Sequence, residues 1–170
     1  MKNIFKYLSL FFMALFTSVI VYPFFHEAGH SVAAVLVGGK VEEFCLFPLP
    51  YVVCNIIDVE KLGNIIIGVA GNLFPFVISF LFFSKCFWIW YIGFTLRVIE
   101  VLSFVFSFVM CILYRCGIKV QKDDTATVLE MWGDGWLVIS FFSIILAIIL
   151  IVVVAKERPI KRCMIYFDIK

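Results

Sequence analysis

The chain has 170 residues, of which 64% are hydrophobic, 18% are aromatic and only 15% are charged, and its mean hydropathy is +1.11. A soluble domain is about 45–50% apolar and about 25% charged, so this composition excludes an ordinary soluble protein and indicates an integral membrane protein. The formal net charge of +2 is too small to indicate nucleic acid as a partner. The basic residues are better interpreted as topology signals.

The first apolar segment runs from Ile4 to Val37. Lys2 and Lys6 ahead of an apolar run resemble the start of a secretory signal peptide. No A-x-A-like cleavage site follows, so we expect the segment to remain part of the protein. As one continuous helix it would be roughly 50 Å long, which exceeds the roughly 30 Å needed for a perpendicular crossing. The prediction is either one tilted, kinked helix or two helices that meet near Pro23.

The remaining chain alternates between turns and apolar runs. Gly38-Gly39 is predicted to end the first helix. Short β-prone runs at 40–47 and 51–57 are typical of a hairpin or of two edge strands at the membrane surface. Cys45 and Cys54 flank the turn and could pair in an oxidising compartment, although cysteine also serves as a small apolar filler. Further apolar spans are predicted over residues 62–83, 87–114 and 137–155.

These elements predict a mainly α-helical, polytopic membrane protein. It would form a single membrane-embedded domain over residues 1–170, with about four transmembrane helices and a small β-hairpin element over about 40–57. Four spans place both termini on one side of the membrane. Eight Lys and Arg residues on that side against five on the other favour cytoplasmic termini in a multi-pass protein of the cell membrane.

Arg97 and Glu100 interrupt the third predicted span. They are three residues apart on a helix, so they can face one another as an ion pair, which would hold both at membrane depth. Gly68 and Gly71 of the second span are small residues that let helices pack closely.

Both histidines of the chain lie in His26-Glu27-Ala28-Gly29-His30, an H-E-x-x-H sequence inside the first apolar segment. Four helical residues turn through about 400°, so the two imidazoles lie on one face and can bind a single metal ion. Glu27 projects about 100° away from His26, where it can act as a general base on a metal-activated water without being a ligand. Gly29 adds no side chain, which leaves room for a substrate backbone.

Two histidines leave a catalytic zinc ion one protein ligand short, because such sites usually have three. No third histidine exists, so the third ligand is predicted to be a carboxylate, from among Glu42, Glu43, Asp58, Glu60, Asp123, Asp124, Glu130 and Asp134. The acidic cluster between the third and last spans is the strongest group, because it adjoins membrane segments. The plainer interpretation of Asp123 and Asp124 is a solvated loop or the N-cap of a helix that follows.

The H-E-A-G-H sequence in a membrane segment, followed by Gly38-Gly39-Lys40-Val41 and a glycine-containing second span, resembles the site-2 protease class of intramembrane zinc metalloproteases. The likeness is greatest to the small bacterial-type members of that superfamily. In that family a later aspartate completes the metal site. Asp124-Thr125-Ala126, with Leu129 and Gly133, resembles the pattern of the small members and implies that Asp124 is the third ligand. Asp134, in the chain's D-G pair, resembles the L-D-G motif of larger members and is the second candidate.

The resemblance also covers the second span. The sequence of residues 69–75 is similar to the family's A-G-P-x-x-N stretch with proline and asparagine exchanged, which implies that Asn72 contacts the substrate backbone. If the substrate is a membrane helix, it must be unwound to be cut, and we hypothesise that the strands around 41–57 hold it in an extended conformation by β-augmentation.

The function implied is an intramembrane zinc metalloprotease that hydrolyses peptide bonds in or near transmembrane segments of membrane proteins. One Zn²⁺ ion would be held by His26, His30 and Asp124, with Glu27 as the general base. The partners would be a transmembrane protein substrate and the lipid bilayer. The alternative is a non-proteolytic membrane scaffold or transport component that retains a structural metal site, and such a site would not need Glu27.

Overall fold

The computed structural model describes residues 2–48, 50–57, 59–118 and 123–167. Its elements, in chain order, are α1 (Lys2–Phe16), a π-helical segment (Thr17–Val21), α2 (Tyr22–Leu36), β1 (Lys40–Cys45), β2 (Tyr51–Asn55), α3 (Lys61–Ser79), a 3-10 helix (Phe80–Phe82), α4 (Phe87–Arg115), α5 (Asp124–Trp132), α6 (Trp136–Lys156) and α7 (Pro159–Tyr166). The ligand candidate Asp58 lies outside the described residues. So do three of the basic residues used to infer topology, Lys119, Lys122 and Lys170.

Four helical stretches are long and apolar enough to cross a membrane: Ile4–Leu36, Lys61–Phe82, Phe87–Arg115 and Trp136–Tyr166. In α6, apolar side chains on the outer surface remain exposed, for example Phe141 at 65% and Ile148 at 55%. An apolar surface of this kind is typical of a helix that faces lipid. The prediction of a mostly helical chain with four candidate spans and a small hairpin is confirmed, and it is consistent with an integral membrane protein.

The first apolar segment forms one continuous helical stretch, because the backbone stays in the right-handed helical region through both junctions of the π-helical segment. Pro23 lies in the first turn of α2. A proline there has no N–H for the preceding turn, and the wider π turn directly before α2 accommodates this loss. The helix ends as predicted just before Gly38, whose φ of +90° suits glycine best.

The hairpin pairs β1 and β2 in antiparallel register, from Lys40 opposite Asn55 to Cys45 opposite Tyr51. Cys54 lies opposite Val41, so Cys45 and Cys54 do not face one another, and both are free thiols. The rings of Phe24 and Phe44 are 6.0 Å apart. The hairpin therefore packs against α2 beside the H-E-x-x-H sequence.

The predicted ion pair between Arg97 and Glu100 is wrong. Arg97 pairs instead with Glu157, with 2.7 Å between Nη2 and Oε1, and donates a hydrogen bond to the carbonyl oxygen of Ser79 at 2.5 Å. Both Arg97 and Glu100 are fully buried, and no residue in the described ranges hydrogen-bonds to the Glu100 carboxylate. The Arg97 guanidinium contacts the Ser79 carbonyl at the end of α3 and the Glu157 carboxylate just after α6. These two groups together stabilise it better than the single carboxylate of Glu100 on its own helix.

Candidate metal centre

Three side chains that are distant in sequence converge at the start of α5. His26 and His30 lie one turn apart on α2, and Asp124 is the first residue of α5. Asp124 Oδ2 lies 2.9 Å from His26 Nε2 and 3.1 Å from His30 Nε2, and the two Nε2 atoms are 3.2 Å apart. The three atoms form a nearly equilateral triangle, and this group has the make-up of a metal-binding set.

A hydrogen bond at Nδ1, the second ring nitrogen of His30, fixes the orientation of the ring relative to this triangle. Nδ1 lies 2.7 Å from the carbonyl oxygen of Ile67 on α3. A carbonyl oxygen only accepts hydrogen bonds, so Nδ1 carries the proton and Nε2 turns its lone pair toward Asp124 and His26. A histidine that donates from one nitrogen to the backbone and uses the other as a ligand is the usual arrangement around protein-bound metals.

The donor set fits a zinc ion. Tetrahedral zinc bonded to nitrogen and oxygen at about 2.0–2.2 Å places neighbouring ligand atoms about 3.3 Å apart, close to the 2.9, 3.1 and 3.2 Å sides of the triangle. Two imidazole lone pairs and a carboxylate aimed at one point repel one another unless a cation or a proton lies between them. Two histidines and a carboxylate, with a fourth position left open, form one of the common ligand sets of catalytic zinc.

Two glycines let α2 and α3 approach closely enough to build this site. A Cβ atom at Gly71 would collide with His30 Nε2 and would lie 2.9 Å from His26 Cε1, so α3 offers the imidazoles a space without a side chain. A Cβ atom at Gly29 would collide with the carbonyl oxygen of Ala70. The space at Gly29, expected from the sequence to admit a substrate backbone, is therefore filled by the backbone of α3.

The two neighbouring aspartates have different surroundings. Asp123 caps α5, since its Oδ1 accepts a hydrogen bond of 2.7 Å from the amide of Ala126, and burial raises the pKa of its carboxyl. Burial alone would also raise the pKa of Asp124, but the close side-chain contacts with His26 and His30 outweigh it and hold that pKa well below its usual range. The helix-cap interpretation is thus correct for Asp123, whereas Asp124 faces the histidines.

The start of α5 is also tied to α4. The hydroxyls of Thr125 and Ser107 lie 3.0 Å apart, and both side chains are buried. With the Asp123 cap on one side and this hydrogen bond on the other, the backbone that carries Asp124 is held from two directions. The chain thereby fixes the carboxylate at its place in the triangle.

Glu27 lies next to the triangle and is half-buried. Among the residues that the structure describes, none hydrogen-bonds to its carboxylate. Burial, and after it the negative charge of Glu27, raise the pKa of the Cys54 thiol on β2. Glu27 lies on the helix that carries both histidines and does not belong to the His26, His30 and Asp124 group.

The other predicted ligand candidates within the described ranges lie apart from the histidines. Asp134 is exposed in the turn after α5, so the whole length of α5 separates it from Asp124. Glu130 is exposed on α5 itself. Glu43 accepts a hydrogen bond from the Tyr51 hydroxyl at 2.5 Å, which raises the pKa of Tyr51 to about 12. The two remaining candidates are Glu42, which accepts a hydrogen bond from Asn55, and Glu60, which is exposed before α3.

Asn72 lies beside the site and is not among its potential ligands. Its Oδ1 accepts a hydrogen bond of 3.0 Å from the hydroxyl of Ser103, and the side chain lines a cavity of about 330 Å³ between α3, α4, α5 and α6. The cavity also touches Thr125, the residue after Asp124. An apolar chamber with a few polar groups therefore adjoins the candidate metal centre, and substrate contact by Asn72 stays a prediction.

Comparison with known proteins gives one informative match. A segment of 71 residues, 42% of the chain, is 37% identical to a zinc metalloprotease of Methanocaldococcus jannaschii. The match covers 21% of that protein's length, so the chain spans about a fifth of this relative. No family model matches the chain, and no solved structure matches it. The similarity is therefore to a distant zinc metalloprotease, over less than half of the chain.

Proposed function

We propose that this protein is an intramembrane zinc metalloprotease that cleaves peptide bonds in or near the transmembrane segments of membrane proteins. The observation that carries the proposal is the convergence of His26 Nε2, His30 Nε2 and Asp124 Oδ2 within 3.2 Å of one another, with Glu27 beside them. The partial similarity to a zinc metalloprotease supports the same chemistry. The four candidate spans support a site that works at the membrane.

Each residue has a separate task in this proposal. A zinc ion held by His26, His30 and Asp124 supplies Lewis acidity, which polarises a carbonyl group and makes water more acidic. Glu27 accepts the proton from the attacking water and later delivers it to the leaving amine. Its carboxylate suits this task because no described residue occupies it by a hydrogen bond. Ile67 holds the proton on His30 Nδ1 at 2.7 Å, which keeps Nε2 available as a ligand.

The surroundings of the site suit an apolar, extended polypeptide. The cavity is lined mainly by apolar side chains, with Asn72 and the hydroxyls of Ser107, Thr125 and Ser143 as its polar groups. Such a lining suits the apolar side chains of a membrane segment. The hairpin packs against α2, and a strand edge that has no partner in the described part of the chain can bind an unwound substrate by β-augmentation.

The direct test is hydrolysis in a membrane. The purified protein, reconstituted into lipid vesicles with a single-span apolar peptide, is expected to cleave that peptide and to contain one zinc ion per chain. A chelator should stop cleavage and added zinc should restore it, because ligand exchange at the three side chains is reversible. Mass spectrometry of the peptide identifies the cleaved bond. Tight zinc binding without hydrolysis of any single-span peptide would instead favour a non-proteolytic metal site.

Filling the cavity tests where the substrate binds. Val138→Trp on α6 places an indole at the cavity wall and is expected to slow cleavage of the membrane peptide by about 10-fold or more, since pocket contacts of this size change rates by that order. Zinc content should not change. Val152→Trp is the matched control, because Val138 is 42% and Val152 is 45% exposed on the same helix and only Val138 lines the cavity. Equal rates for the two variants would place the substrate elsewhere.

A further inference from the structure

A second cluster of charged and aromatic side chains lies at the end of the helices that is remote from the metal centre. An open pocket of about 340 Å³ is lined by Lys85, Phe87, Arg162, Ile165 and Tyr166. Lys85 lies in the turn before α4, and Arg162 belongs to α7, the short helix that follows α6. The histidines and Asp124 approach the opposite end, where the hairpin and the start of α5 lie. The pocket is therefore separate from the candidate metal centre.

The walls of this pocket are held in place by specific contacts. The rings of Phe87 and Tyr166 stack at 4.1 Å with an interplanar angle of 2°. Arg162 donates a hydrogen bond of 3.1 Å to the carbonyl oxygen of Ser84 and lies 4.9 Å from the ring centre of Trp90. The hydrogen bond occupies one edge of the Arg162 guanidinium and the Trp90 ring covers one face. The remaining N–H groups of the guanidinium are available to a ligand.

Among the residues that the structure describes, Lys and Arg outnumber carboxylates at this end of the molecule. In the part of the chain that the structure describes, no carboxylate pairs with Lys85 or Arg162, and Glu157 is engaged by Arg97 at 2.7 Å. Lys6 lies next to Tyr166, one of the lining residues, since its Nζ donates to the carbonyl oxygen of Tyr166 at 2.8 Å. Lys85 and Arg162 line the same pocket, and an ammonium group together with a guanidinium is a usual pair of recognition groups for a phosphate.

The helix that carries Arg162 has the character of a membrane-surface helix. Ile160 is 77% and Ile165 is 66% exposed, although α7 also carries Lys161 and Arg162. The membrane interface accommodates this mixture, because aliphatic side chains can contact acyl chains while basic ones contact headgroups. Trp88, Tyr91 and Tyr166 also lie at this end, and Trp and Tyr are the residues that are enriched at that depth.

We propose that the Lys85–Arg162 pocket binds the phosphate of an anionic phospholipid headgroup, while Ile160 and Ile165 contact the adjoining acyl region. Basic pockets between membrane helices on one side of a bilayer recognise such headgroups. The exposed aliphatic residues favour a lipid over a soluble phosphate, because a soluble anion gains nothing from them. The inference rests on the membrane placement proposed above and is independent of proteolysis.

The test compares lipids of one acyl composition in detergent solution. Native mass spectrometry should show that the protein binds phosphatidylglycerol about 10-fold or more tightly than phosphatidylcholine, and Lys85→Gln with Arg162→Gln should remove that preference, since each surface cation contributes about a 5-fold factor. Lys85→Gln alone, at an exposed side chain, should weaken phosphatidylglycerol about 5-fold without disturbing the packing of Arg162. Zinc content and peptide cleavage should not change.

A control with the same change of charge is available at the opposite end of the molecule. Lys40→Gln with Lys61→Gln should keep the lipid preference, because both residues lie at the end that carries the hairpin. An equal loss in this control would show a general effect of net charge and overturn the pocket. Equal affinities of the unaltered protein for the two lipids would also overturn it. Displacement of phosphatidylglycerol by millimolar inorganic phosphate would assign the site to a soluble anion instead of a lipid.

Discussion

Replacing Glu27 with glutamine is expected to abolish peptide hydrolysis and to leave zinc binding intact. Glutamine keeps the size of the side chain but cannot accept the proton of the attacking water, and the loss of a general base costs about 10²–10⁴-fold in rate. Zinc should remain, because Glu27 is not one of the three converging side chains. Zinc per chain by atomic spectroscopy and the cleavage rate of a single-span peptide in vesicles give the two readouts.

Glu130→Gln is the matched control for this variant. Glu130 is exposed on α5, so the same chemical change there should alter neither zinc content nor rate. If Glu27→Gln cleaved at the original rate, the protein would not use this carboxylate as a base. The scaffold or transport alternative would then be favoured, because a structural metal site has no use for an unpaired glutamate beside its ligands.

Local sequence patterns predicted much of this architecture. Apolar runs long enough to cross a bilayer predicted the four candidate spans, and Gly38-Gly39 predicted the end of α2. The spacing of His26 and His30 places the two rings on one helix face, independently of how the rest of the chain folds. Each of these inferences depends only on residues within a few turns of one another, which is the range over which helix geometry is fixed.

Features that depend on distant residues were harder to predict. Arg97 pairs with Glu157 across the α4–α6 contact, and no local spacing distinguishes this partner from Glu100. A residue without a side chain is needed at position 71 only because this part of α3 packs directly against the imidazoles of His26 and His30. A glycine directly before Asn72 was visible in the sequence, but its role depends on which helix lies opposite. The π-helical segment before Pro23 likewise reflects how a continuous helix accommodates the missing N–H.

The choice between Asp124 and Asp134 as third ligand illustrates the same limit, since ten residues separate them and both follow the third span. Helix α5 resolves their positions: its first residue faces the histidines, whereas Asp134 lies in the exposed turn beyond its other end. The N-cap at Asp123 makes this possible, because it starts the helix at the residue where the next side chain turns inward.

Asp124→Asn is therefore expected to release zinc, whereas Asp134→Asn should keep it. The amide is neutral and binds zinc poorly, and loss of a ligand should weaken affinity by at least the roughly 100-fold seen when a ligand's supporting partner is removed. Asp123→Asn is the sharpest control, because asparagine caps a helix about as well as aspartate and the change is one residue from the site. Zinc titration with a competing chelator measures all three variants. Loss of zinc from Asp134→Asn with retention in Asp124→Asn would assign the ligand to the turn and require α5 to pack differently against α2.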